Sequence, residues 1–165
     1  MLLLVDLSYF IFYRYYATYN WYRKQNESTD EPMKDPLFME KYDKLFEKTI
    51  TDFKKQYDLK YSDIYFAKDC SREDIWRIKS YPEYKQTRDE RLKTFDKDIF
   101  KHTIVKLIPM LQSKYGGCHL LSVDHLESDD IIAVIKQYVR QHNPEREIVI
   151  ITNDNDYIQL LDEYT

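Results

Sequence analysis

Seven carboxylates stand where their type and spacing could serve chemistry: Asp6, Asp69, Glu127, Asp129, Asp130, Asp154 and Asp156. Asp6 closes the apolar run Leu2–Asp6, Asp69 lies just past the run Asp63–Ala67, and Asp154 and Asp156 follow the run Glu147–Thr152. Glu127, Asp129 and Asp130 open a helical pattern that follows the run His119–Val123. Each acid therefore falls at the carboxyl end of a strand-like segment or directly after it. In an open α/β sheet those ends share one edge, where ligands bind. Carboxylates gathered there repel and raise one another's pKa until cations neutralise them. Hard oxygen ligands favour Mg²⁺, with Mn²⁺ as a substitute. Two such ions about 3.5–4 Å apart can ionise a water and stabilise the attacking and leaving oxygens of a phosphodiester. Any single Asp at a strand end is more often a cap or a solvated charge, but seven at matching topological places favour a metal site.

The elements that must position these acids can be read from pattern. The four apolar runs have consecutive rather than alternating hydrophobic positions, as in strands buried on both faces of a parallel sheet. Helical spacing covers roughly Ser8–Arg23, Leu37–Tyr57, Asp98–Lys114 and Leu126–Gln141. The last is preceded by Asp124-x-x-Glu127, the form of a capping box. Alternating strands and helices predict an α/β domain with a mainly parallel central sheet flanked by helices. Polar, Pro-containing Gln25–Pro36 and charged Ser80–Asp96 read as loops. In a regular helix Glu127 and Asp130 share a face while Asp129 points elsewhere, so joint use of Glu127 and Asp129 requires non-helical dihedrals at this helix start.

At 165 residues the chain fits a single domain. The net charge of −4 argues at first against a nucleic-acid partner, but the seven acids alone contribute −7 and two divalent cations would return +4. Two cysteines, Cys70 and Cys118, have no metal or redox spacing, which suggests a reducing, intracellular setting. No apolar run is long enough to span a membrane. Between Arg77 and Lys101 eight Lys/Arg oppose five Asp/Glu, a local +3 that gives modest support to phosphate binding. Sixteen tyrosines crowd the sequence. Those after Asp6 offer a stacking surface worth about 1–3 kcal/mol per base, although most of Tyr9, Phe10, Phe12, Tyr13, Tyr15, Tyr16, Tyr19, Trp21 and Tyr22 must be core or ordinary surface.

Four stretches together resemble the flap endonuclease / 5′-3′ exonuclease family, whose nuclease core is PIN-like. They are Val5-Asp6-Leu7-Ser8 with Arg14-Tyr15-Tyr16-Ala17; Trp76-Arg77 with Tyr81-Pro82-Glu83-Tyr84-Lys85-Gln86-Thr87-Arg88; Glu127-Ser128-Asp129-Asp130, similar to the family's E-A-D-D; and Thr152-Asn153-Asp154-Asn155-Asp156 followed by Gln159-Leu160. They occur in the family's order and cover nearly the whole chain, with a bacterial and phage flavour. The resemblance implies that the seven acids hold two Mg²⁺ ions. It implies that Lys85 and Arg88, at the base of a helical arch or gateway over Ser80–Asp96, and Arg77 on the preceding turn, stabilise the scissile phosphate. It further implies nucleic-acid contacts by Arg14, Tyr15, Tyr84, Lys85, Arg88 and Arg91, and DNA with a free 5′ end, flapped or single-stranded, as substrate.

Three departures from the family pattern bear on that expectation. Asp69 is flanked by Lys68 and Cys70 rather than a small turn. Asn153 and Asn155 replace the usual small and basic residues. The sequence ends at Thr165, where the family continues with more sheet, a further metal-binding Asp and a helix-turn-helix module. The expectation is an N-terminal catalytic domain over 1–165, with duplex grip supplied by a missing region or a partner chain. The alternatives are a PIN-type ribonuclease acting on RNA, opposed by the Tyr-Pro-Glu-Tyr-Lys element, and a non-catalytic nucleic-acid-binding remnant, opposed by retention of every acidic position.

Overall fold

The computed structural model describes residues 1–25, 31–84 and 97–165. At its centre is strand β1 (Leu2–Asp6), buried along its whole length. It pairs in parallel with β2 (Ile64–Lys68), Leu3 opposite Ile64 and Asp6 opposite Ala67. On its other side it pairs in parallel with β4 (Ile148–Ile151), Leu2 opposite Ile148. Strand β3 (His119–Ser122) adds in parallel to β2, so the order is β3-β2-β1-β4. The chain steps outward twice from β1 and then returns to its far side, so the order reverses between β1 and β4. The two edge strands are only partly covered, unlike the expectation of four strands buried on both faces, because each has a strand neighbour on one side only among the described residues.

Side chains of β1 alternate between two cores. Leu3 and Val5 pack with Phe10, Phe38, Phe46 and Phe66, whereas Leu2 and Leu4 pack with Ile131, Ile132, Val139 and Tyr157. Helices α1 (Leu7–Tyr22) and α2 (Pro36–Gln56) belong to the first core. The short α3 (Trp76–Ser80) follows β2, and a helical stretch over Asp98–Tyr115 completes the first layer. Helix α6 (Ser128–His142) covers the second face. No helix among the described residues is long and apolar enough to cross a membrane.

Helix α1 shows how the tyrosine-rich sequence is divided. Its buried positions, Leu7, Phe10, Ile11, Arg14, Tyr15, Thr18 and Tyr22, follow steps of three and four residues and so form one face. The strand passes into this helix without a loop because Asp6, the last residue of β1, is also its N-cap: Asp6 Oδ1 accepts the Tyr9 N–H at 3.1 Å. A residue that ends a strand and caps a helix is fixed at both, which is the condition a site residue needs.

Two local expectations change. The stretch Asp98–Lys114 is not one regular helix but α4 (Asp98–His102), a π turn (Thr103–Leu107) and α5 (Ile108–Tyr115). Pro109 has no N–H and its ring crowds the carbonyl four residues earlier, and a widened turn relieves both problems. The capping box also shifts by three residues. Glu127, in extended conformation, is the N-cap of α6, and Asp130 Oδ2 accepts the Glu127 N–H at 3.1 Å. His125 adopts a left-handed φ of 70°, which turns the chain before the helix and leaves Asp124 outside it. That loop is tied down where Trp76 N–H donates to His125 O and Cys70 N–H donates to Leu126 O, each at 3.0 Å.

Gly117 leads into β3 against the 61–62 backbone. A Cβ there would lie 2.9 Å from Ser62 N and 3.2 Å from Ser62 Cα. Backbone cannot swing aside as a side chain can, so Gly117→Ala is expected to cost about 1–3 kcal/mol, read as a lower urea midpoint. An unchanged midpoint would show that the β3 junction shifts freely.

Candidate metal centre

Parallel pairing brings the carboxyl ends of β1, β2 and β4 to one edge, and the reversal of strand order opens a crevice there. An open cavity of about 560 Å³ occupies it, lined by Asp6, Asp69, Glu127, Asp129, Asp154 and Asp156 together with Ser8, Tyr9, Phe12, Ser128, Asn153, Asn155 and Tyr157. Six of the seven acids singled out in the sequence thus meet in one place, drawn from four separate chain segments. The lining contains no Lys, Arg or His among the described residues.

Asp6, Asp69 and Asp154 are oriented by neutral donors. Asp6 Oδ2 accepts from Thr152 Oγ1 and from the Tyr157 hydroxyl, each at 3.3 Å. Asp69 Oδ2 accepts from Ser8 Oγ at 2.6 Å and its Oδ1 from the Ser128 N–H at 2.7 Å. Asp154 Oδ1 accepts from the Asp156 N–H at 3.0 Å, and the Asp154 N–H donates to Thr152 Oγ1 at 3.1 Å. The extended Glu127 N-cap supplies the non-helical geometry that lets Glu127 and Asp129 face the same cavity. Lys68 turns toward β3, with Nζ 3.5 Å from Ser122 Oγ. The orienting hydroxyls of Thr152 and Tyr157 had no separate signal in the sequence, since nothing in residue type or spacing says which hydroxyl will meet which acid.

Burial pushes the Asp6 carboxyl up to about 6, with the nearby Asp69 charge adding to it against the opposing hydrogen bonds. Asp129 is raised too, first by burial, against the pull of Arg77. The Tyr157 phenol is raised by burial and then by the Asp6 charge, so it keeps its proton and acts as a donor. Cations bound beside Asp6 and Asp129 would favour the charged forms of both carboxyls.

These shifts set the pH response of the metal-free protein. The folded protein holds the Asp6 proton more tightly than the unfolded chain, whose carboxyl sits near 3.8. The associated stability is therefore present below about 4 and is lost as pH rises through about 6. The urea midpoint in chelator should fall between pH 4.5 and 6.5, and by less in Asp6→Asn. The same fall in both proteins would assign the response elsewhere.

Asp130 is placed differently from the other six. One oxygen each from Glu127, Asp129 and Asp130 lies within 4.8 Å of the others, but Arg77 already spans this trio. Its guanidinium is bidentate to Asp130, Nη1 to Oδ2 at 2.8 Å and Nη2 to Oδ1 at 2.7 Å, and Nη1 also donates to Glu127 Oε2 at 2.9 Å. Trp76 Nε1 donates to Asp130 Oδ2 at 3.1 Å. The Arg77–Asp130 pair lines a separate recess of about 230 Å³. Asp130 thus has a cation beside it before any metal arrives, and Arg77 links α3 to the start of α6.

Among the residues tied to nucleic acid by resemblance, Tyr15 is buried in the first core, edge-on to Phe38 at 5.5 Å. Arg14 is also buried; Nη1 donates to Thr49 Oγ1 at 2.8 Å and Cζ lies 3.6 Å from the Tyr13 ring centroid. The partly exposed Tyr84 ring has Arg77 Cζ 5.9 Å from its centroid. Lys85, Arg88 and Arg91, with the remainder of the segment expected to form the arch, lie outside the described residues. The aromatic rings in the cavity wall are Tyr9, Phe12 and Tyr157.

Residues 1–165 match the family described as the 5′-3′ exonuclease, N-terminal resolvase-like domain. No curated protein matches in sequence. The fold is similar to that of the bacteriophage T5 5′-exonuclease with zinc bound, at 18% identity and a TM-score of 0.60 over 99% of this chain and 52% of that one. It is similar at 18% identity and a TM-score of 0.62, with the same coverage, to the bacteriophage T5 flap endonuclease in a pseudo-enzyme–product complex with DNA and metal ions. The chain therefore spans about half the length of the T5 proteins, and what it shares with them at this identity is the PIN-like fold.

Proposed function

The chain belongs to the 5′-3′ exonuclease N-terminal, resolvase-like family, and on that premise we propose that it is a divalent-metal-dependent nuclease domain hydrolysing DNA phosphodiesters at or near a free 5′ end. One observation carries the reading: six carboxylates from four segments line one open cavity whose described lining contains no basic side chain. That donor set is all oxygen and fits Mg²⁺ or Mn²⁺. The residues that would hold the ions are Asp6, Asp69, Glu127, Asp129, Asp154 and Asp156. Bound divalent cations would supply an ionised water and charge stabilisation at the attacking and leaving oxygens.

The chain's own residues do the rest. Tyr9 N–H, Thr152 and Tyr157 pin the Asp6 carboxylate, while Ser8 and the Ser128 N–H pin Asp69. Ligands held by their neighbours need little reorganisation when a substrate binds. Tyr9 and Phe12 give the cavity wall apolar surface for a nucleobase. Arg77, engaged with Glu127 and Asp130, braces the acidic helix start, and the contact to the scissile phosphate falls to Lys85 and Arg88. DNA is favoured over RNA by the DNA complex of the similarly folded T5 flap endonuclease and by the Tyr81-Pro82-Glu83-Tyr84-Lys85 element.

The test offers 5′-flap DNA, single-stranded DNA and RNA of matched sequence in Mg²⁺, Mn²⁺ or EDTA. Cleavage of DNA in either metal, abolished by EDTA, is expected. Metal-independent cleavage would sink the proposal, and preferred cleavage of RNA would replace its substrate.

A further inference from the structure

Tyr157 is buried, with 5% of its surface exposed, and its hydroxyl lies between two elements that carry candidate ligands. On one side is Asp6 Oδ2 at the end of β1, 3.3 Å away. On the other is Ser128 Oγ at the first position of α6, also 3.3 Å away and flanked in sequence by Glu127 and Asp129. Tyr157 itself sits in the 3₁₀ turn Asn155–Leu160, next to Asp156 and three residues beyond Asp154. The side chain therefore touches Asp6 directly and, through Ser128, the helix start that carries Glu127 and Asp129. Asp69 is joined to the same helix start through the Ser128 N–H.

We infer that Tyr157 is a positioning residue for the metal centre, its hydroxyl fixing the rotation of the Asp6 carboxylate and locking β1, α6 and the 3₁₀ turn into one register. This rests on the metal-nuclease reading above. A carboxylate offers about four acceptor positions over its two oxygens. Thr152 and Tyr157 approach Oδ2 together, and the Tyr9 N–H takes one position on Oδ1. The remaining position on Oδ1 is the one left for a cation. A phenolic proton can serve Asp6 or Ser128 at a given moment, and the carboxylate is the stronger acceptor. Without the hydroxyl, Oδ2 keeps a single neutral donor and the carboxylate is freer to turn. The ring would remain, because packing against Leu4, Ile131 and Ile132 needs no oxygen. Tyr157 also stands, with Asp129 and Asp156, in the wall shared by the acidic cavity and the Arg77–Asp130 recess.

The experiment is calorimetric titration of the full chain with Mn²⁺ in wild type, Tyr157→Phe and Thr152→Val, with circular dichroism to check folding. Removing a group that orients a ligand typically weakens metal binding by about 10–100-fold, and Tyr157→Phe is expected at the lower end, about tenfold. The Mn²⁺ concentration that half-saturates DNA cleavage should shift by the same factor, with the rate at saturating Mn²⁺ approaching wild type; a merely structural role would lower the saturated rate as well. Thr152→Val strips the other hydroxyl from the same oxygen and should also weaken binding, which keeps the inference testable if Tyr157→Phe does not fold. Wild-type Mn²⁺ affinity in folded Tyr157→Phe would overturn this inference and leave the metal reading standing. No Mn²⁺ binding by wild type would overturn both.

Discussion

Asp6→Asn should lower metal-dependent DNA cleavage by about a thousandfold while leaving the metal-free protein at least as stable as wild type above pH 6. The two effects have opposite signs for one reason. Asp6 is buried at the end of the central strand, its carboxyl pushed up to about 6, so ionising it at neutral pH works against folding. An amide of the same shape removes that charge and can still accept the Tyr9 N–H. The same change removes a ligand from the centre of the cavity. Several kcal/mol of transition-state stabilisation rest on the cations held there, and about 4 kcal/mol corresponds to a thousandfold in rate. Single-turnover cleavage and a urea titration in EDTA, made on the same preparation, read both. Retained cleavage, or lost cleavage with a large loss of stability, would show that Asp6 is structural.

Arg77→Met should act in the reverse direction, on stability first. Arg77 keeps 25% of its side chain exposed, but its partners Glu127 and Asp130 keep only 5% and 17%. Removing the guanidinium leaves two carboxylates facing each other at the start of α6, with the neutral Glu127 N–H and Trp76 indole still donating to Asp130. Breaking a buried ion pair by deleting one partner costs about 3–5 kcal/mol, and the partial exposure of Arg77 places this one nearer 2–3 kcal/mol. For a chain of this size the unfolding temperature should then fall by about 5–10 °C. Divalent cations should restore part of the loss, because they bind the folded acids and supply the missing positive charge. Thermal melts with EDTA or Mn²⁺ check both halves. An unchanged melting temperature in EDTA would mean that Arg77 is free to leave the acids and reach substrate.

Much of the centre could be read from the sequence because its acids sit at strand ends, and short apolar runs give strand ends away. Asp6, Asp69 and Asp154 were located by that rule alone, and parallel pairing does the converging. Family resemblance added the order of the motifs. The relation between Asp130 and its neighbours was not readable. It depends on α3 folding back to place Arg77 against α6, which is fixed by the His125 and Leu126 carbonyls accepting from Trp76 and Cys70 rather than by local spacing. The capping register failed for a related reason: Asp124 and Glu127 both fit a cap, and only the left-handed turn at His125 selects between them. Tyrosine content was the weakest guide. The helical period sorts Tyr15 and Tyr22 inward and Tyr13 and Tyr16 outward, but spacing alone gave no means of choosing which tyrosine would approach an acid, and Tyr157 lies far from that cluster in sequence.

The cavity at the β1–β4 crevice is proposed to hold divalent cations. Crystals soaked in Mn²⁺ and measured for anomalous scattering test it most directly. A peak is expected in the cavity within about 2.0–2.3 Å of carboxylate oxygens, drawn from Asp6, Glu127, Asp129 and Asp154, with Asp130 still paired to Arg77. A saturated crystal with no peak in that cavity, or with Mn²⁺ bound only elsewhere, would contradict it.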